Sequence, residues 1–393
     1  MAKDPTQTIP PEVWLEIFTH TTPAIHDRIA VDDPPFRLPG ATYTDLSTKE
    51  SLSRVCRHWR DLTSQQLYEE VVLADGLSAL LTTLMTSDSN FGFRGNLVKR
   101  VVLPFHSTCG APWAIAPIIA ILKACTQIKA LVRPSDSDRL RYSSFFDYEV
   151  EAVAFPSLLR LEWHYNDDAE RSGGINSLTS VLRGAPNVRY LSISGADYPG
   201  YILLDRSPTL LSHLEVLRIS TSNPHIIRVM CNSWTMPSLS KIIFDVHPQP
   251  HSLDIIFEHF GPQLRAVEFG RRPPINVEEC LLLCLGRCPN LLELNCHTLW
   301  VAPLETFGNL QNHLPHPNIT TIKLHNATPL LDAGETHLDL DHHSTFLASD
   351  ALPSLKRVVL CGDWRVYTQT SHFKSVVEKL LRSGRTLEVC VDV

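Results

Sequence analysis

The chain has 393 residues, of which 44% are hydrophobic and 20% are charged, and its formal net charge is −7. This composition is ordinary for a globular protein and excludes a disordered one. This negative net charge does not favour binding to nucleic acid or to an anionic membrane surface.

The longest nearly apolar run, residues 111–122, contains two prolines and is shorter than the roughly 20 residues that span a bilayer. The first residues lack the apolar region of a secretory signal, and ten cysteines are too few for a dense disulfide framework. We therefore expect reduced thiols and a location in the cytoplasm or nucleus.

Residues 9–18, with the sequence IPPEVWLEIF, predict an amphipathic helix. Pro11 suits a first helical turn, and Glu12 is favoured at the positive end of the helix dipole. The broad apolar face of this helix is formed by Val13, Trp14, Ile17 and Phe18. So many large apolar groups exceed the need of a small helical core, which predicts that some of them bind a partner.

A second helix is predicted from about Lys49 to Leu62, and a short piece at 67–73 follows it. The apolar stripe of this helix contains Leu52, Val55, Cys56 and Trp59. Between the two helices, residues 22–44 include four prolines and a glycine, which predicts an inserted, irregular and exposed loop.

These residues resemble the F-box family. The Pro-x-Glu opening at Pro10–Glu12, paired with the Val-Cys-Arg-x-Trp core at residues 55–59, carries the resemblance. It implies docking onto a Skp-type adaptor. The residues expected to divide between adaptor contact and internal packing are Ile9, Pro10, Val13, Leu15, Ile17, Phe18, Leu52, Val55, Cys56, Trp59 and Leu62. The 22–44 insertion departs from the family pattern, and its effect on docking stays open.

From about residue 95 onward a short motif recurs, in which an apolar residue is followed by further apolar residues three and five positions later. Pro followed by Ser, Asn or Gln precedes most copies. The anchor positions are 98, 128, 158, 188, 214, 239, 264, 291, 319 and 355, and a further strand is predicted at 387–391. Helical spacing of apolar residues lies between several anchors, at 175–182, 225–234, 253–260, 277–285 and 373–381. A strand followed by a helix in each unit predicts an α/β solenoid with a curved parallel sheet, since no unit can bury its apolar face alone.

The repeats resemble the irregular, longer kind of leucine-rich repeat. We therefore predict an F-box-like helical segment over residues 1–75 and a leucine-rich-repeat-like solenoid over 76–393. An F-box followed by such repeats is similar to proteins of mushroom-forming fungi. The resemblance implies the substrate receptor of an SCF-type cullin–RING ubiquitin ligase, joined to a cullin through the Skp adaptor. An ordinary α/β domain, and a helical cap with no ligase role, are the alternatives.

The strand residues that alternate with the apolar ones are mixed in charge and predict a candidate recognition surface for a protein substrate. The positions favoured for binding are Arg160, Glu162, His164, Tyr190, Arg218, Lys241, Asp245, Glu293, His297, Lys323 and His325. Glu268, Asn295 and Arg357 occupy equivalent positions. A solvated sheet face with no binding role is the alternative.

No motif for a phosphate-binding loop, a zinc protease or a hydrolase nucleophile is present, so we expect no enzymatic activity and no cofactor. Cys280, Cys284 and Cys288 recur on one helical face, where core packing is favoured over a metal site. The polar stretch at 339–343 is predicted to be a solvated loop rather than a metal site. Neither a non-ligase interaction scaffold nor, less favoured, an unfamiliar hydrolase is excluded by the sequence.

Overall fold

The structure is a computed structural model. It describes residues 9–21, 25–37, 46–74, 76–88, 92–104, 115–134, 150–195, 203–246, 249–270, 277–297, 316–326 and 344–390. The predicted polar loop at 339–343 lies outside the described residues.

The chain forms two compact units. The first consists of Met1–Asp33, Leu38–Ser192 and Leu203–Asp205, and the second of Pro34–Arg37, Ile193–Ile202 and Arg206–Val393. The division falls within the repeats, and the N-terminal helices belong to the same unit as the first strands. The domain boundary near residue 75 stays a prediction.

Among the described residues, four helices lie before the first strand. They are α1 (Pro11–Thr21), α2 (Ile25–Ile29), α3 (Leu46–Val55) and α4 (Arg57–Tyr68). The single helix predicted from Lys49 to Leu62 is therefore divided at Cys56. The Trp59 backbone N–H donates to the Cys56 sulfur at 3.4 Å. Cys56 thereby satisfies one of the free amides that a new helix leaves at its start.

In the first unit, parallel strands follow the chain order. They are β1 (Glu70–Val72), β2 (Arg100–Val102), β3 (Ala130–Arg133), β4 (Arg160–Tyr165) and the first half of β5 (Tyr190–Gly195). The helices along this unit are α5 (Leu77–Leu84), α6 (Ile115–Ala124), α7 (Asp167–Ser172) and α8 (Leu178–Gly184).

The second unit also has its strands in chain order and parallel. They are β6 (Val216–Ser220), β7 (Lys241–Phe244), β8 (Ala266–Phe269), β9 (Glu293–His297), β10 (Thr321–His325), β11 (Arg357–Cys361) and β12 (Thr386–Cys390). Its helices are α9 (Pro224–Ser233), α10 (Pro250–Phe260), α11 (Val277–Arg287), α12 (Arg365–Thr368) and α13 (Ser371–Arg382). Each repeat anchor is followed two residues later by the start of a strand, which confirms the predicted period and the mixed α/β class with parallel strands. The strand β1, in the piece at 67–73, was not predicted.

The second and third apolar residues of each motif lie on the strand and pack against the helices. On β7, Phe244 lies 6.0 Å from Phe257 of α10, measured between ring centroids. On β9, Leu294 and Cys296 face Leu281 of α11 across a cavity of only about 30 Å³. This apolar face of the sheet is the core, as the alternation predicts. We call the opposite side, which carries the alternating residues such as Arg160 and Glu268, the polar face.

The asparagine that follows the motif proline in three repeats has a structural role, because it bonds one repeat to the previous one. The side-chain amide of Asn187 donates to the Pro156 carbonyl at 2.8 Å, one repeat earlier. Asn290 donates to the Pro262 carbonyl at 2.7 Å, and Asn318 to the Pro289 carbonyl at 2.8 Å. Each of these hydrogen bonds satisfies a loop carbonyl that is not paired within the strands. The Pro-Asn pair therefore helps to fix the register of successive repeats.

The described part of the insertion, residues 25–37, contradicts the prediction of an irregular, exposed loop. It contains helix α2, and Ile25, Ile29, Asp33 and Phe36 are buried. The physical reason is that its apolar and charged side chains find partners on distant strands, which the density of proline and glycine does not reveal.

Candidate protein-interaction surfaces

Three aromatic rings hold α1 against α4. Trp14 and Phe18 of α1 lie 4.7 Å and 4.9 Å from the ring of Trp59 on α4, and 5.9 Å from each other. Phe18 is fully buried. Trp14 is tilted and Phe18 is edge-on against Trp59, whereas Trp14 and Phe18 are stacked on each other. Stacked and edge-to-face arrangements are those that aromatic pairs favour. Trp59, which the sequence placed among the adaptor residues, therefore has a packing role.

Other apolar residues of the same helices face outward. Val13 is 43% exposed, Ile17 is 41% exposed, and Val55 at the end of α3 is 59% exposed. Part of the apolar face is therefore exposed at these three side chains, and their contact with a partner stays a prediction. We call Val13, Ile17 and Val55 the exposed apolar surface.

The remaining predicted adaptor residues divide by exposure. Pro10 is exposed, and those that are half-buried are Ile9, Leu15, Leu52, Cys56, Trp59 and Leu62. A role of any of them in adaptor binding stays a prediction. Sequence reasoning missed Lys49, which is buried on α3 with its ammonium donating to the Gln66 carbonyl at 3.2 Å. Desolvation by burial lowers the pKa of Lys49, although Glu70 and Glu69 oppose that shift.

In the first unit, charged residues of the insertion bind the polar face. The Arg28 guanidinium donates to the Glu70 carboxylate at 2.7 Å, and the same carboxylate pairs with Arg100. All three side chains are buried. Desolvation lowers the pKa of Arg100, and the nearby Glu70 carboxylate opposes that shift. Beside them, Ile25 and Ile29 pack with Ala130 of β3.

Asp33 of this segment is bound by two residues of the strands. Two nitrogens of Arg160 donate to its carboxylate oxygens at 2.9 Å and 3.1 Å, and the Tyr190 hydroxyl donates at 2.7 Å. The Arg160 guanidinium also stacks 3.7 Å from the Tyr190 ring centroid and donates to Glu162 at 2.7 Å. Arg160 and Tyr190 were predicted to bind a protein segment from the polar face, and in this structure the segment is the chain's own.

In the second unit, Phe36 is inserted into the polar face. Its ring centroid lies 5.1 Å from that of His297 and 4.9 Å from that of His325. The ring also packs with Val359 and Cys361 of β11. We call the site formed by His297, His325, Val359 and Cys361 the aromatic seat. Phe36 is only 5% exposed in it.

The backbone around Phe36 is bound as well. The Phe36 N–H donates to the Glu268 carboxylate at 2.9 Å, and the Arg218 guanidinium donates to the Arg37 carbonyl. Asn295 donates to the other oxygen of Glu268 at 3.1 Å. Desolvation raises the pKa of the buried Glu268 carboxyl, and Lys241 together with these hydrogen bonds opposes the shift.

Phe36 has a backbone conformation that its residue type disfavours. Its φ is 61°, the only positive φ among the described non-glycine residues. The Arg37 N–H donates to the Pro34 carbonyl at 3.3 Å, which closes a tight turn with Pro35 and Phe36 in the middle. Pro suits the second position of such a turn, whereas the third favours Gly. Holding a bulky residue there costs on the order of 1–3 kcal/mol.

The sequence predicted that the candidate substrate-binding residues form one recognition surface. In the structure, all of them are buried or half-buried within their own unit. Five of them are buried by their own unit's packing: Arg160, Tyr190, Arg218, His297 and His325. Six are half-buried: Glu162, His164, Lys241, Asp245, Glu293 and Lys323. Several are paired across strands, with Arg218 bound to Asp245 at 2.6 Å and Lys323 to Glu293 at 2.9 Å. Their role in binding a partner stays a prediction.

Other candidate sites of the sequence belong to the core. Cys280, Cys284 and Cys288 are buried, and burial raises the pKa of the adjacent Cys296 thiol to about 12, which leaves it unreactive at neutral pH. Across the described ranges, no group of three metal-ligating side chains is found. Trp163 and Trp364 are also buried. None of the helices in the described part of the chain has the length and hydropathy needed to cross a bilayer.

Comparison with known proteins gives a match to solved structures alone. No protein-family model matches the chain, and no curated protein does. Among solved structures, the fold is similar to that of the leucine-rich repeat-containing protein LegL7 from Legionella pneumophila, at 11% identity. The likeness covers 82% of this chain and 89% of that one, with a TM-score of 0.46.

Proposed function

We propose that this protein is the substrate-recognition subunit of an SCF-type cullin–RING ubiquitin ligase. Its N-terminal helices dock a Skp-type adaptor, the repeats hold a target protein, and the subunit itself does no chemistry. Such a subunit works in the cytoplasm or nucleus. The observation that supports the proposal is the exposed apolar surface of Val13, Ile17 and Val55, on helices whose sequence resembles the F-box pattern.

The physical argument is that these three side chains are not needed by the core. Trp14, Phe18 and Trp59 already hold α1 to α4. Full burial of such a side chain is worth about 1.5–3 kcal/mol, so exposed apolar residues on both α1 and α3 favour a binding role for these helices.

A second candidate is an interaction scaffold without any ligase role, in which the helices only cap the first strand. The observation that favours it is the direct continuation of α4 into β1, with Glu69 bound to Lys99 at 2.5 Å. Solenoids need such a cap to shield the apolar end of their first repeat.

Adaptor capture separates the two candidates. The full chain is co-expressed with a fungal Skp adaptor and purified, as wild type and as the Val55→Asp and Ile17→Asp variants. Each variant places a charge on the exposed apolar surface, and we expect at least a tenfold loss of retained adaptor. Leu210→Asp is the matched control, because Leu210 is 65% exposed on a different part of the chain.

Circular dichroism and tryptophan fluorescence establish that each variant is folded. Trp59 is left unchanged, since its packing role would confuse loss of docking with loss of folding. A folded wild type that retains no adaptor would remove the ligase proposal and leave the scaffold. Equal retention by Val55→Asp and wild type would show that adaptor binding uses another surface.

A further inference from the structure

The aromatic seat has the features of a peptide-binding site. Peptide recognition generally combines hydrogen bonds to the main chain with a pocket for a side chain. Here the Glu268 carboxylate accepts a hydrogen bond from the Phe36 N–H at 2.9 Å, and Arg218 donates to the carbonyl of the next residue, Arg37. The imidazoles of His297 and His325 lie against the Phe36 ring. The bound groups are those that any polypeptide with an aromatic residue possesses.

The occupant of the seat is held against its own backbone preference. Phe36 has a φ of 61° in a turn position that favours glycine. Strained residues of this kind persist where the surrounding contacts enforce them, and they concentrate at ligand clamps and switch regions. A partner segment that presents an aromatic ring without this strain would bind the seat more favourably than Phe36 does.

The chemistry of the lining defines the partner. Val359 and Cys361 are apolar, and the ring of Phe36 meets the His297 ring nearly edge-on, with an interplanar angle of 72°. An aromatic ring matches both contacts, whereas a charged side chain would lose its hydration there. The pair formed by Glu268 and Arg218 requires a main-chain N–H and a following carbonyl, so a polypeptide is favoured over a free aromatic molecule.

We propose that the aromatic seat binds an aromatic residue of a partner polypeptide, and that Pro34–Arg37 occupy it as an internal pseudo-ligand until the partner displaces them. The inference rests on the protein-binding role proposed for the repeats, and it assigns that role a site, a ligand class and a mode of autoinhibition. A tethered segment competes at an effective concentration on the order of millimolar, so only a partner with additional contacts, or a high local concentration, replaces it.

Binding of a peptide in trans tests the proposal. The probe is a fluorescein-labelled peptide of residues 32–38, DDPPFRL, and its fluorescence anisotropy is measured with the full-length protein. The Phe36→Gly substitution removes the aromatic ring that fills the seat. We expect this variant to bind the probe with a Kd at least tenfold lower than that of wild type.

Two controls make the result specific. A probe in which alanine replaces phenylalanine should bind Phe36→Gly at least tenfold more weakly. Adding Leu210→Asp to Phe36→Gly should leave probe binding unchanged, because Leu210 is 65% exposed and does not line the aromatic seat. The inference is overturned if the folded Phe36→Gly variant binds no probe at millimolar concentration, or if it binds both probes equally.

Hydrogen exchange on the wild type tests the displacement step without any substitution. If Pro34–Arg37 leave the seat while the sheet stays folded, the Phe36 amide should exchange at least 100-fold faster than the amides of β8 and β9. Equal protection would mean that the segment opens only on global unfolding, and it would overturn the autoinhibitory role.

The two proposals fail separately. Adaptor capture without probe binding would leave the ligase subunit and remove the aromatic seat as its recognition site. Probe binding without adaptor capture would support the aromatic seat as a peptide-binding site and remove the ligase proposal.

Discussion

Val55 and Phe36 are both large apolar residues in the N-terminal part of the chain, and the structure treats them in opposite ways. Val55 is 59% exposed at the end of α3, whereas Phe36 is 5% exposed and lies on the polar face of the repeat strands. Sequence patterning assigned Val55 to a helix stripe and Phe36 to an exposed loop. The difference teaches that an apolar residue on a helix can stay exposed. An apolar residue in a loop can instead cover strand residues, here His297 and His325, that the sequence had assigned to substrate binding.

The comparison also separates two kinds of interaction surface. The exposed apolar surface is available to a partner as it stands, so its binding depends on shape and hydrophobicity alone. The aromatic seat is occupied, so binding there involves competition with the chain itself. Substitutions should therefore act differently at the two places, and the expected effects are given from the largest to the smallest.

Phe18→Ala should produce the largest loss of stability. Phe18 is fully buried between Trp14 and Trp59, and its removal leaves a cavity that the two tryptophans cannot fill. We expect the free energy of unfolding of the helical segment to fall by about 3–5 kcal/mol, measured by tryptophan fluorescence in a urea titration. Val55→Ala on the exposed apolar surface should change it by no more than about 0.5 kcal/mol. Equal effects would mean that the two residues do not differ in packing as the structure indicates.

Asp33→Ala should have the next largest effect. The substitution leaves the buried Arg160 guanidinium without its two-fold carboxylate contact and the Tyr190 hydroxyl without its acceptor, although Glu162 still pairs with Arg160. Removing one partner of a buried ion pair leaves an uncompensated charge, and we expect a loss of about 3 kcal/mol in the same titration.

Glu50→Ala is the control for Asp33→Ala. Glu50 pairs with Arg54 four residues later on α3, and both side chains are more than half exposed. Such a pair contributes about 0.5 kcal/mol or less. A loss below 1 kcal/mol for Asp33→Ala would contradict its role in holding residues 25–33 on the first unit.

The smallest effect is a pH dependence set by Glu268. Because desolvation raises its pKa above the ordinary value of 4.5, the folded state binds more protons than the unfolded state just above that pH. The free energy of unfolding should therefore decrease as the pH rises from 4.5 through the folded pKa, by at most about 1.4 kcal/mol per pH unit.

Urea titrations at pH 5, 6 and 7 measure this slope. Glu268→Gln, which cannot titrate, should remove the downward contribution, whereas Glu258→Gln, on the exposed side of α10, should keep it. A slope unchanged by Glu268→Gln would show that burial beneath Phe36 does not penalise the charged carboxylate.

The amino-acid sequence determined the repeats of this protein by itself. An apolar residue, with two more at three and five positions, fixes where a strand starts, because alternation places those residues on one face and burial favours that face. The apolar stripes of α9, α10, α11 and α13 likewise required only the spacing of residues along one turn. In the same way, the pattern around Val13 and Val55 identified helices with more apolar surface than a small core uses.

Only the tertiary structure decided what the polar face of the strands contacts. Asp33 meets Arg160 across 127 residues, and the Phe36 amide meets Glu268 across 232. No period or local propensity records contacts at such separations, and the prolines and glycine of residues 22–44 pointed to a loop without indicating where it packs. A charged or aromatic side chain in a loop has no local preference for burial, so its place depends on a partner that exists only after the distant strands have folded.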